Sequence, residues 1–130
     1  MKKLMIAAAA VFVSAGAAMA QDAAAGATVF KKCMACHKVG EGAKNAVGPH
    51  LNGIIGRAAA SVEGYAYSEP AKAKAASTGE WSVEEIVEYL VDPAAFYKGP
   101  SKMTFKLADE TERKNVAAYL ATFGADGKTK

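Results

Sequence analysis

The chain has 130 residues, of which 52% are hydrophobic and 22% charged, and its formal net charge is +3. Without Lys2 and Lys3 this charge falls to +1, which excludes the strongly basic field of a nucleic-acid-binding protein. The length allows one small domain, and small exported domains often need a crosslink or cofactor to supplement their cores.

The first 20 residues have the order of a secretory signal peptide. A basic start is followed by an apolar run from Leu4 to Ala18 and a small-residue cleavage site ending at Ala20. The run is shorter than the roughly 20 residues of a membrane span, so we expect cleavage after Ala20 and a periplasmic protein. The expected division is a signal peptide at 1–20 and one domain at 21–130. Retention of the run as a membrane tether is the alternative.

Helix signals occur at both ends of the expected mature chain. Asp22 can cap the free amides of a first helix that runs into Cys33. Asp109 can open a last helix, which carries apolar residues at helical spacing and which Gly124 would close.

Two further helices are predicted in the middle of the chain. Ser68 begins a short helix through about Ala76, with proline in its first turn. Ser82 begins the next with a capping box, and Asp92-Pro93 would end it. No strand-like alternation of useful length is present, so the predicted fold class is all-α.

Residues 39–61 are rich in glycine, which predicts a long loop without regular structure. Long loops in compact domains are uncommon and usually functional. We therefore expect this loop to wrap around a ligand.

The sequence Cys33-Met-Ala-Cys36-His37 has the C-x-x-C-H spacing of c-type haem attachment. Positions three apart share a helix face, so both thiols can reach the two vinyl groups on one porphyrin edge. His37 lies one turn beyond Cys33 and can point to the iron. The motif predicts one covalent haem c, bonded through Cys33 and Cys36, with His37 as an iron ligand.

Other uses of the cysteine pair fit less well. A disulfide oxidoreductase expects a βαβ setting, which this helical chain lacks. A structural zinc site needs four ligands, and the adjacent Cys36 and His37 diverge too far for a tetrahedron. A disulfide between Cys33 and Cys36 would close too small a loop to contribute much stability.

The second iron ligand decides between a six-coordinate electron-transfer site and a five-coordinate reactive one. Met103 is the methionine outside the signal and the attachment motif, and it follows a loop rich in glycine and proline. A soft sulfur ligand stabilises the ferrous state. Two alternatives stay open, in which Met103 only fills a core gap or His50 is the ligand. The competing function is a haem enzyme or gas-binding haem protein with an open iron site.

On these residues the chain resembles the class I cytochromes c, most closely the bacterial cytochrome c2 group. The resemblance covers nearly all of residues 22–123 and implies the cytochrome c fold, with about four to five helices and long loops around one covalent haem. Besides the attachment motif and Met103, it rests on Gly26, Phe30, Gly48-Pro49, Leu51, Gly53, Gly56-Arg57, Gly64 to Tyr67, Trp81, Glu88 to Leu90, Pro93, Lys102 and Ala118 to Leu120.

The resemblance also implies roles for individual residues. Pro49 would offer its carbonyl to the second ring nitrogen of His37, which would fix that ligand's orientation. Tyr89 would lie beside the Met103 sulfur. Donors to the inner haem propionate would be Arg57, Tyr67 and Trp81.

Two positions of the resemblance, one glycine and one aromatic residue, concern the packing of the first helix on the last. Gly26 and Phe30 would cross the last helix near Tyr119.

The chain also departs from the family pattern, with His50 where asparagine is frequent and Ala71 where a polar residue is common.

The function implied by the resemblance is a soluble periplasmic carrier of single electrons, which is not an enzyme and turns over no small-molecule substrate. Its partners would be membrane redox complexes with acidic docking surfaces. They include a quinol:cytochrome c oxidoreductase as donor and an oxidase, a peroxidase or a photosynthetic reaction centre as acceptor. We expect a monomer that docks through lysines around the exposed haem edge, namely Lys32, Lys38, Lys98, Lys102 and Lys106.

Overall fold

The computed structural model describes residues 22–130, so the expected signal peptide and its cleavage site lie outside the described residues. Within that part of the chain, the only β-pairing consists of two isolated bridges. The all-α prediction is confirmed. The five helices are α1 (Ala23–Phe30), α2 (Glu69–Thr78), α3 (Val83–Tyr89), α4 (Pro93–Tyr97) and α5 (Glu110–Ala121).

The predicted helix starts are confirmed at all four positions. In each case the capping side chain accepts a hydrogen bond from the backbone N–H three residues further on, which satisfies an amide that has no partner inside the helix. The four capping residues are Asp22, Ser68, Ser82 and Asp109.

The prediction that Asp92-Pro93 ends a helix is wrong. Helix α3 already ends at Tyr89, and the Asp92 carboxylate caps α4 by accepting from the N–H groups of Ala94 and Ala95 at 3.1 and 3.3 Å. Pro93 occupies the first turn, where its missing N–H costs nothing. The dipeptide therefore starts a helix that the sequence analysis missed.

Two other predicted helix ends need correction. Helix α1 ends at Phe30 and is continued by turns through Cys36 rather than by regular helix. Helix α5 ends at Ala121 with Thr122 as its cap, so Gly124 does not close it.

Helices α1 and α5 cross at Gly26. A Cβ atom at this position would lie 2.6 Å from the carbonyl carbon of Asn115 and 2.7 Å from the Tyr119 Cβ, closer than real side chains come. The Phe30 ring lies 5.5 Å from the Tyr119 ring. The crossing implied by the resemblance is confirmed, and it depends on glycine because backbone meets backbone there.

The loop at residues 39–61 has no helix, as predicted, and a buried side chain of the loop itself holds its backbone in place. Asn52 is buried, and its amide pairs with both the N–H and the carbonyl of Gly40 at 2.8 Å. A side chain thus takes the place of a backbone ladder and satisfies buried polar groups. The loop forms one wall of an internal cavity. None of the helices in residues 22–130 is long and apolar enough to cross a membrane.

Candidate functional site

A large, mostly apolar cavity opens between the loops and the helices. Its empty space is about 1300 Å³, including the open mouth. All nine residues predicted to contact a haem line this one cavity, namely Cys33, Cys36, His37, Pro49, Arg57, Tyr67, Trp81, Tyr89 and Met103.

The turns after α1 place the two cysteines on the cavity wall. The N–H groups of Cys36 and His37 both donate to the carbonyl of Cys33, at 3.1 and 2.9 Å. Both thiols are free and partly buried. Burial, the largest cause, raises the pKa of the Cys33 thiol to about 11. The thiols of catalytic dithiol sites have pKa values below the usual one. This argues against the oxidoreductase alternative.

A zinc site is not formed either. No group of three or more His, Cys, Asp or Glu side chains within residues 22–130 is arranged to hold a metal ion. The cysteines are therefore left as attachment points, in agreement with the motif.

The tautomer of His37 follows from its hydrogen bond. Nδ1 lies 2.7 Å from the Pro49 carbonyl, which can only accept, so Nδ1 carries the hydrogen and Nε2 carries the lone pair. Burial lowers the pKa of His37 below its usual value, and the bond to Pro49 offsets part of that shift. The ring is thus neutral at physiological pH with a metal-binding nitrogen available.

Gly48 allows the backbone to pack directly on the His37 ring. A Cβ at this position would lie 2.8 Å from Nδ1 of His37. The N–H of Gly48 donates to the Cys36 carbonyl at 2.8 Å, which ties the loop to the attachment motif. The same contacts that orient the histidine therefore also anchor the loop.

The Met103 thioether is held by a tyrosine. The hydroxyl of Tyr89 donates to the Met103 sulfur at 3.3 Å. Burial raises the pKa of Tyr89 far above its usual value, so the hydroxyl keeps its hydrogen. The N–H of Met103 donates to the Ser101 hydroxyl at 3.2 Å, which stabilises the loop just before it.

Aromatic residues surround Tyr89 on the same side of the cavity. The rings of Trp81, Phe96 and Tyr97 lie 5.3 to 5.5 Å from it. Phe96 and Tyr97 belong to α4, so the sequence analysis missed them together with that helix. The capping dipeptide before them was the signal that could have found them.

Arg57 and Tyr67 bring polar hydrogen-bond donors to the cavity wall. Nη1 of Arg57 donates to the carbonyls of His50 and Asn52 at 2.9 and 3.1 Å. The Tyr67 oxygen accepts from the N–H of Val62 at 3.0 Å, so its own hydrogen is free to donate. These groups suit a carboxylate that enters a partly buried site.

His50, the rival iron ligand, does not line the cavity. Its carbonyl accepts from Arg57, and its N–H donates to the Asn45 side chain at 3.0 Å. Its Nδ1 is buried without a hydrogen-bond partner among residues 22–130. The geometry therefore favours Met103 over His50.

The five lysines of the expected docking surface differ in their surroundings. Only Lys102 lines the cavity, and it donates to the Ala66 carbonyl and lies 5.7 Å from the Tyr65 ring. The other four lysines are exposed. Lys32 forms an ion pair with Glu112 at 3.2 Å, and Lys106 forms one with Asp92 at 3.2 Å. Lys38 donates to the Met34 carbonyl at 2.7 Å, and Lys98 is the C-cap of α4 in the left-handed conformation.

Two apolar side chains at the cavity remain in contact with solvent. Val47 is 72% exposed and Phe105 is 36% exposed, although both line the cavity. An isolated valine in a glycine-rich loop carries no signal of its own, so Val47 has no role that the sequence could reveal.

The residues present fit a covalently bound haem. Two thiols, a neutral imidazole, a thioether and polar donors line the same mostly apolar space. Fold and site together define a small all-α haem protein of the C-x-x-C-H type.

Comparisons with known proteins agree with that class. The cytochrome c family profile matches residues 23–124, and the chain belongs to the cytochrome c family. It is 53% identical over 120 residues to cytochrome c-554 of Methylosinus trichosporium, covering 91% of this chain and 88% of that protein. It is 47% identical to cytochrome c2 of Rhodopseudomonas palustris, covering 92% and 93%.

A solved structure supports the same assignment. Cytochrome c2 from Rhodospirillum centenum superimposes with a TM-score of 0.75 at 47% identity, covering 79% of this chain and 98% of that one. The chain is thus an electron-transfer protein rather than an enzyme, and it carries one haem c through Cys33 and Cys36. Both the predicted fold and the predicted family are confirmed.

Proposed function

We propose that this chain carries single electrons between membrane redox complexes in the periplasm, with the haem iron held between His37 Nε2 and Met103 Sδ. One observation carries the proposal. An imidazole with its lone pair on Nε2 and a thioether fixed by a tyrosine line the same apolar cavity. A carrier needs such a closed, six-coordinate iron because nothing has to bind and leave.

The haem supplies an iron that alternates between ferric and ferrous states. The chain's residues orient the ligands and exclude water. The Pro49 carbonyl keeps Nδ1 of His37 protonated, and the Tyr89 hydroxyl holds the Met103 sulfur. The apolar wall limits solvent access, which controls the local dielectric and hence the reduction potential. Arg57, Tyr67 and Trp81 are the proposed donors to a propionate, since a buried carboxylate needs them.

The proposed docking surface is centred on the cavity mouth. Val47 and Phe105 form its apolar centre, and we assign the five lysines predicted above to its charged rim. The exposed ion pair between Lys32 and Glu112 is worth at most about 1 kcal/mol. An acidic partner can therefore replace Glu112, and the chain would dock as a monomer through weak, salt-sensitive contacts.

A visible spectrum tests the ligation. The purified, exported ferric protein should show the sulfur-to-iron charge-transfer band near the red edge, and the reduced protein should bind carbon monoxide slowly. Absence of the band in the wild type, with rapid carbon monoxide binding, would instead support the open-site haem enzyme or gas-binding protein.

Charge reversal tests the docking surface. Lys98 is the best position, because Lys102 also holds the Ala66 carbonyl near the ligand loop. Lys98→Glu should slow turnover of the membrane partner at low salt, and the difference should fade as salt screens the charges. Lys114→Glu on α5, outside the proposed rim, makes the same change in net charge and is the control, with its folding checked because it also breaks the ion pair with Glu110. Equal slowing by both variants, or indifference to salt, would remove this surface from the proposal.

Intact mass tests the location and processing. The mature protein isolated from the periplasmic fraction should begin at Gln21 and carry the added mass of one haem. A mass that includes Met1 would support the membrane tether instead.

A further inference from the structure

Residues 122–130 fold back after α5 into a compact segment, which we call the hook. The N–H of Gly124 donates to the Lys128 carbonyl at 2.9 Å, and the N–H of Lys130 donates to the Thr122 carbonyl at 2.9 Å. The family match ends at Gly124, so most of the hook lies beyond it. From the sequence, only Gly124 of the hook was given a role, as the expected end of the last helix.

The hook presses against both ends of the 40–53 loop segment. Gly127 is buried with a φ of +80°, and a Cβ there would overlap the Gly40 carbonyl and lie 2.6 Å from the Glu41 nitrogen. At the other end, a Cβ on Gly53 would lie 3.0 Å from the Cα of Ala125. Both contacts bring backbone against backbone, so neither the hook nor the loop can shift alone.

The loop segment transmits this contact to His37. The Asn52 amide joins the two ends of the segment through Gly40, at 2.8 Å for each bond. Between those ends lies Pro49, whose carbonyl accepts from Nδ1 of His37 at 2.7 Å. A continuous set of direct contacts therefore connects Gly127 with the histidine.

We infer that the hook positions His37 by holding the Pro49 carbonyl against its Nδ1. A hydrogen bond to the second ring nitrogen fixes a ligand's orientation and raises its basicity. Gly127 is thus a positioning residue that tunes the donor strength of Nε2 without touching the haem. The inference rests on the proposed ligation of iron by His37.

Gly127→Ala tests the inference. The added methyl group forces the hook away from Gly40, so the bond between Pro49 and His37 opens more often. We expect the His37 Nδ1 hydrogen of the reduced holoprotein to exchange about tenfold faster by NMR, which corresponds to about 1.4 kcal/mol of local stability. The midpoint potential should rise, because a less basic imidazole stabilises the ferric iron less.

Gly42→Ala is the matched control. Gly42 also has a positive φ, +76°, but a Cβ there would meet nothing within 4 Å. It carries the same backbone cost without the clash, so His37 exchange and the potential should stay at the wild-type values. The amides of Val116 and Ala117 in α5 report the loss of global stability, whereas the midpoint potential is a property of the folded protein and does not respond to that loss alone.

Three outcomes would overturn the inference. They are wild-type exchange at His37 in Gly127→Ala, a wild-type midpoint potential in that variant, or the same two changes in Gly42→Ala. If Gly127→Ala does not fold, a chain ending at Gly124 removes the hook without a clash and should show the same two changes. A wild-type protein without the sulfur-to-iron band would instead contradict the proposed function, which separates the two failures.

Discussion

At the crossing of α1 and α5, the chain completes its packing with its own atoms. Gly26 lets the backbones meet, and Ala117 on α5 is fully buried. Around the cavity, His37 and Met103 are only partly buried, and Val47 stays exposed. The side chains there are arranged around a volume that the chain does not fill. We therefore expect the crossing to keep residual helix without the haem, whereas the loops depend on the haem for their order.

Removing the attachment points is the strongest test of this difference. Cys33→Ala combined with Cys36→Ala should give a colourless protein that loses most of its folding free energy, of the order of 5–15 kcal/mol for a small domain. Far-UV circular dichroism and amide exchange should show that the loop loses protection first, with residual helix at α1 and α5. Protected loop amides in the colourless variant, for example at Gly48 and Leu51, would contradict the comparison.

Met103→Ala affects only the cavity. Truncation of a partly buried methionine should cost about 2–5 kcal/mol, since the cavity wall loses contacts. The sulfur-to-iron band should disappear and the potential should fall, because the soft ligand that favours ferrous iron is gone. Met34 is 48% exposed, so Met34→Ala serves as the control and should change neither spectrum nor potential. A retained band in Met103→Ala would identify another sixth ligand.

Gly26→Ala changes the packing at the crossing of α1 and α5. The new methyl group meets the backbone of Asn115, and overpacking of this kind costs about 1–3 kcal/mol. Chemical denaturation should show the loss, while the visible spectrum of the folded protein stays that of the wild type. Thr28→Ala on the exposed face of α1 is the control. A spectral change in Gly26→Ala would mean that the two regions are coupled.

Tyr89→Phe gives the smallest expected effect. It removes the hydrogen bond to the Met103 sulfur, which is worth about 0.5–1.5 kcal/mol, and keeps the ring. The potential should fall slightly, because the hydroxyl no longer draws electron density from the sulfur. Tyr119→Phe also removes a tyrosine hydroxyl, at the crossing, and should leave the potential unaltered. Equal shifts in both variants would show that the hydroxyl of Tyr89 has no specific role.

Local signals account for what the sequence predicted well. The helix caps at Ser68, Ser82 and Asp109 are decided by a few neighbouring residues, and the C-x-x-C-H motif carries its own spacing. Asp92-Pro93 was misinterpreted because the same dipeptide can follow one helix and start the next. Because α4 was not predicted, its aromatic residues Phe96 and Tyr97 were not predicted to lie near Tyr89 either.

Contacts between distant parts of the chain could not be predicted in the same way. Gly127 and Gly40 approach each other only in the folded protein, and neither glycine has a local pattern that reveals the contact. The ion pairs of Lys32 and Lys106 also depend on residues from other elements. The resemblance supplied the roles of Pro49 and Tyr89, which spacing alone would not have given.

Proline at position 49 has a consequence for the timing of electron transfer. Its carbonyl oxygen faces Nδ1 of His37 at 2.7 Å and can only accept a hydrogen bond. The imidazole therefore keeps its hydrogen on the same nitrogen in the oxidised and the reduced protein. Under the proposed ligation by His37, the iron can change its charge without a proton moving on this imidazole.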